Sequence, residues 1–157
     1  PSKVPVEMQN GSYDSNQEYN IWLPIESRVN EIEIKEFEDL VGVKCPEAYK
    51  RFLQHKHFFE LQIGECSFCE NPINTWRFSL SEMIFNGYPR EYLIDKGYVP
   101  FANWSDWGLL CFDVDTLCDD NNYPIVLWDH DRVDEVEYKF SDFENMLIEL
   151  DKGVNVV

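Results

Sequence analysis

From residue 27 onward the chain switches between two hydrophobic spacings, one helical and one extended. Residues 27–42, "SRVNEIEIKEFEDLVG", spread Val29, Ile32, Phe37, Leu40 and Val41 along a helical stripe, with Ser27 as the expected N-cap and Gly42 as the stop. After a three-residue link, Pro46 suits the first position of a second helix, "PEAYKRFLQH", in which Tyr49, Phe52 and Leu53 share a face. Residues 57–77 hold aromatics, Gly64, Pro72 and two cysteines without a period, which predicts a strand or two among irregular loops. "SLSE" at 79–82 has the form of a capping box, Ser79 with Glu82, and predicts a short third helix ended by Gly87.

Beyond Gly97 the spacing changes. "YVPFANW", "WGLLCFDVD" and "PIVLWDHD" are short runs rich in β-branched and aromatic residues, bounded by Asn, Asp, Gly and Pro, as strands are. The tail "KFSDFENMLIEL" carries a second capping pattern, Ser141 with Glu144, followed by Phe143, Met146, Leu147 and Leu150 at helical spacing. The expected architecture is α+β: a mostly antiparallel sheet with an N-terminal helix pair, a short middle helix, and a C-terminal helix packed on it. Residues 1–20 are polar and broken by Pro5 and Gly11, so 1–26 read as an arm in which "IWLPIE" is a candidate edge strand. Residues 27–157 read as a single domain.

Composition narrows the function. Thirteen Lys and Arg against thirty Asp and Glu leave a formal charge of −17. Nucleic acid and anionic lipid both need clustered cations, so neither a nucleic-acid nor a membrane partner is expected. The expected partner is a basic protein. From Asp113 to Val157 there are thirteen acids against Arg132, Lys139 and Lys152, which concentrates the negative field in the C-terminal part. Five cysteines, no secretory pattern and no 18-residue apolar run lead to the expectation of a reduced, cytoplasmic protein.

No nucleophile elbow, phosphate loop or zinc-protease helix is present, and no catalytic residue or cofactor is expected. His130 stands between Asp129 and Asp131, but neighbours on a strand point to opposite faces and would not orient its ring. Cys66 and Cys69 in "CSFC" have the spacing of half a zinc site and are weak metal candidates, since the other half is missing. "DVDTLCDDNNYP" starts like a calcium loop, then places Cys118 where Gly is needed and Pro124 where a bidentate Glu is needed. Trp76, Trp104, Trp107 and Trp128 could form a sugar-stacking platform, although packing is the commoner use of such rings.

"IKEFEDLVGVKCPEAYKRFL" resembles the opening helices of the SUKH superfamily, through Ile34, Phe37, Glu38, Gly42, Pro46, Tyr49, Phe52 and Leu53. "GYVPFANWSDWGLLCFD" is similar to its strand pair through Pro100, Phe101, Ala102, Gly108 and Asp113, and "YPIVLWDHD" and "KFSDFENMLIEL" resemble its later strand and last helix. Cys45 replaces the usual Leu before the Pro, and "QHKHFFELQ" replaces an Asn-Gly-Gly segment. The resemblance implies a non-enzymatic binding domain, either an immunity-type protein that neutralises a toxin such as a nuclease or a regulatory scaffold of the cell-wall type. A small-ligand or sugar-binding role is the remaining alternative. Candidate partner contacts are Asp113, Asp115, Asp119, Asp120, Asp129 and Asp131.

Overall fold

The structure, a computed structural model, describes residues 4–9, 22–69, 71, 73 and 75–154. Its elements in chain order are β1 (Ile25–Glu26), α1 (Glu31–Val41), α2 (Glu47–His55), β2 (Lys56–His57), β3 (Gln62–Ile63), β4 (Cys66–Phe68), α3 (Trp76–Phe85), β5 (Tyr98–Trp104), β6 (Gly108–Asp113), β7 (Ile125–Asp129), β8 (Val136–Phe140) and α4 (Phe143–Val154). β1 pairs with β2, and β3 to β8 form one sheet in sequence order with every neighbour antiparallel. The fold is therefore α+β. No helix among the described residues is long and apolar enough to cross a membrane.

α1 starts three residues later than its serine suggests. Asn30 is the cap: its Oδ1 accepts the Glu33 N–H at 2.9 Å, and Glu33 Oε2 accepts the Asn30 N–H at 3.2 Å. Ser27 instead donates its hydroxyl to the Leu53 carbonyl at 2.6 Å, tying the entry of α1 to the end of α2. The buried face is Ile34, Phe37 and Glu38, with Val41 packed beside them at i, i+3, i+4, i+7. Ile32 and Leu40, expected inside, point outward. Gly42 ends the helix at φ 80°, a left-handed turn that suits glycine.

α3 also departs from its sequence signal. It begins at Trp76, and the Ser79 N–H bonds to the Thr75 carbonyl inside the helix, so no box forms at Ser79. Trp76, Leu80 and Ile84 are buried at i, i+4, i+8, and that anchoring sets where the helix runs. α4 is capped by Asp142, whose Oδ1 accepts the Asn145 N–H at 2.8 Å, one residue after the expected Ser141.

β6 and β7 alternate between two cores. Leu110, Phe112, Ile125 and Leu127 face the helices, while Leu109, Cys111, Val126 and Trp128 face Leu93 on the other side. Both faces are buried, so the strands read as unbroken apolar runs. Tyr49 sits at the centre of the helix-side core, its ring 5.1 to 5.9 Å from those of Phe143, Phe112 and Phe101. β8 was not foreseen. Its sequence alternates poorly, and a register shift opposite Ile125 and Val126 bulges it. In the N-terminal arm, Val4 and Met8 pack with Ile73. Residues 1–3 and 10–21 lie outside the described residues.

Candidate functional site

The six candidate aspartates occupy two opposite ends of the sheet. Gly108 pairs with Asp129 and Phe112 with Ile125, so Asp113 and the loop after it lie at one end of β6, and Asp129 and Asp131 at the other. Five residue steps of strand, about 17 Å, separate the two groups. They do not form one patch.

At the first end, Asp113 Oδ2 accepts the Thr116 hydroxyl at 2.9 Å. The Asp115 carboxylate lies over Gly97, which has φ 83° and where a β-carbon would collide with that carboxylate. The positive φ is what favours glycine there, since the exposed Asp115 side chain has room to swing aside. Asp119 and Asp120 follow in an exposed turn in which Asp120 and Asn121 hold positive φ. Lys44, Asp95, Asp115 and Tyr123 border a cleft of about 480 Å³ beside this loop.

The second end collects more charge than the sequence suggested. The turns β3–β4, β5–β6 and β7–β8 all fall there, because alternate connections of an antiparallel sheet share an end. The Ser105 N–H donates to the Glu65 carbonyl at 2.6 Å, and the His130 N–H to the Trp107 carbonyl at 3.3 Å, joining the turns into one rim. The rim carries Glu65, Asp106, Asp129, Asp131, Asp134 and Glu135, all exposed except the half-buried Asp129, with Arg132 as the one Lys or Arg of those turns. Sequence reasoning missed Glu65, Asp106, Asp134 and Glu135. Their common signal, an acid in every second hairpin turn, becomes visible only once the strand order is known.

β7 ends at Asp129, so the strand alternation that separated His130 from its neighbours does not apply. His130 Nε2 lies 3.6 Å from Asp131 Oδ1, and Asp129 Oδ1 accepts the Asp131 N–H at 2.8 Å. These three offer donor atoms within 4.8 Å of one another on an exposed turn. Cys66 faces the core, where burial pushes its thiol up to about 12, and among the described residues Cys66 and Cys69 belong to no cluster of three or more metal-ligating side chains. Cys69 is half-buried.

Trp76 and Trp128 are buried, and the Trp128 Nε1–H is spent on the Val133 carbonyl at 3.0 Å, so neither ring is open for sugar stacking. Trp104 and Trp107 pack on the edge of the helix-side core, and Lys139 sits over the Trp104 ring at 4.9 Å.

The SMI1 / KNR4 family (SUKH-1) model matches residues 28–149, more than three quarters of the chain. The chain belongs to this family. No curated protein gives a significant match. In this SUKH-1 domain the motif residues build the frame: Phe37, Tyr49, Leu53, Phe101 and Ala102 are buried, and buried Glu38 accepts the Cys45 N–H at 2.7 Å. The stretch 54–62, where the motif pattern breaks, supplies β2 and the buried His57. His57 Nε2 accepts the Arg28 N–H at 3.0 Å, so its Nδ1–H donates to the Asn71 carbonyl at 3.0 Å. Glu65, Asp106, Asp134 and Glu135 are not motif positions.

Proposed function

We propose that this SUKH-1 protein is a non-enzymatic, cytoplasmic, immunity-type protein that binds a basic toxin domain, of nuclease type, and neutralises it through its acidic surface. The hairpin rim carries the reading. Three turns present six carboxylates against one arginine, on a support held by the Ser105–Glu65 and Trp107–His130 backbone bonds. A groove that binds phosphate backbone is lined by Lys and Arg, and a preorganised array of carboxylates can occupy it with little ordering cost. The loop with Asp113, Asp115, Asp119 and Asp120, at the other end, adds to long-range attraction.

The test is co-expression with a toxin encoded beside its gene, which should restore growth. A variant carrying Asp106→Asn, Asp131→Asn, Asp134→Asn and Glu135→Gln should associate about ten-fold more slowly at low salt, with the gap closing as salt rises. Persistent growth arrest, or a rim variant that associates as fast as the parent, would sink the reading. Co-purification of several ordinary host proteins in place of one toxin would favour the cell-wall regulatory role.

A further inference from the structure

The outer face of α1 and α3 carries apolar side chains that the core does not use. Ile32, Leu40 and Phe78 are 70%, 62% and 67% exposed. Ile32, Glu36 and Leu40 follow one another at i, i+4, i+8, an outward stripe spanning about 12 Å. Leu40 and Phe78 line a cleft of about 310 Å³ between the two helices, floored by buried Phe37. Phe78 also borders a second open cleft of about 620 Å³, whose lining includes Leu61, Met83, Glu60 and Glu82. One exposed phenylalanine thus forms a ridge between two grooves.

Single exposed apolar residues are ordinary, but adjacent ones bordering grooves mark interaction surfaces. The surrounding charge indicates the partner. Both cations of this face are held in ion pairs within it, Lys35 with Asp39 at 3.4 Å and Arg77 with Glu36 at 2.5 Å. Glu60 before β3 and Glu82 on α3 remain as exposed acids at its borders. The face therefore offers apolar anchors inside a negative border.

We propose that the α1–α3 face docks an amphipathic helix with basic flanks, with Leu40 and Phe78 as the principal anchors. A groove between two helices accepts a third by interlocking side-chain ridges, and the two-turn stripe from Ile32 to Leu40 matches the anchor spacing of such a ligand. The proposal shares with the proposed function only the sign of the partner's charge. It uses none of the rim residues.

The probe is a synthetic Leu-Lys peptide of about 18 residues with leucines at helical spacing, titrated into the ¹⁵N-labelled full chain. Amide shifts should concentrate at 32–40 and 76–83. The Leu40→Ser/Phe78→Ser variant, altered only at exposed positions, should bind about ten-fold more weakly, while Ile148→Ser on α4 should bind as the parent does. A scrambled peptide of equal charge should also bind about ten-fold more weakly, because it lacks the apolar stripe. Shifts confined to the rim, equal binding by the scrambled peptide, or an unaffected double-serine variant would overturn the proposal. A parent that self-associates through Phe78, becoming monomeric in the double variant, would overturn it in favour of a second copy. Undiminished peptide binding by the rim variant, beside lost toxin binding, would show that the two sites are separate.

Discussion

Glu38 takes a carboxylate into the joint between α1 and α2, where Oε2 accepts the Cys45 N–H seven residues away. That donor belongs to the short link before α2, and the carboxylate satisfies it. Glu38→Ala leaves it buried and unpaired, and should cost about 1 to 3 kcal/mol in urea unfolding. Glu38→Gln keeps a carbonyl acceptor and should lose less; equal losses would show that charge, not the acceptor, matters. His57 acts similarly over longer range, linking Arg28 to Asn71. Neither role is legible in the sequence, because hydrogen-bond partners 7, 14 and 29 residues away leave no local pattern.

Among the elements, the helices were legible but their starts were not. Sequence signals pointed to Ser27, Ser79 and Ser141, whereas the chain uses Asn30, Thr75 and Asp142 as the flanking residues. A capping pattern shows where a helix could start, and burial of Ile34, Trp76 and Phe143 selects where it does. Asn30→Ala should lower stability by about 1 kcal/mol and speed amide exchange in the first turn of α1. Ser27→Ala removes the tie to Leu53 and the acceptor of the Val29 N–H, both ahead of the helix, so exchange at 31–34 should stay protected; fraying in both variants would contradict the assignment. β8 escaped notice because it is an edge strand with a half-exposed pattern. Lys139 and its bulge suit an edge that must not recruit another strand.

At the scale of the whole molecule, buried thiols set the alkaline limit. Burial pushes Cys45 and Cys66 up to about 12, and Cys111 higher still. Above about pH 8.5 the unfolded chain releases these protons while the folded chain holds them, so stability falls as pH rises through the window up to about 12. Each thiol should remove roughly 1 kcal/mol per pH unit. Melting temperature, measured under reductant, should decline steadily above that lower limit; a level profile would contradict the account. Net charge of −17 acts at the same scale, so association with the basic partner proposed above should fall with salt.

The sequence by itself determined the α+β class, the SUKH-1 frame and the sign of the surface charge. Each follows from local facts: hydrophobic period, the spacing of Phe37, Gly42, Pro46 and Tyr49, and a count of charges. Only the tertiary structure decided which carboxylates lie together. Asp113 and Asp129 are near in sequence yet sit at opposite ends of a hairpin, whereas Glu65, Asp106 and Asp134 are distant in sequence yet share one rim. An antiparallel sheet sends successive connections to alternate ends, so proximity on its rims follows strand order and register, which no single turn encodes.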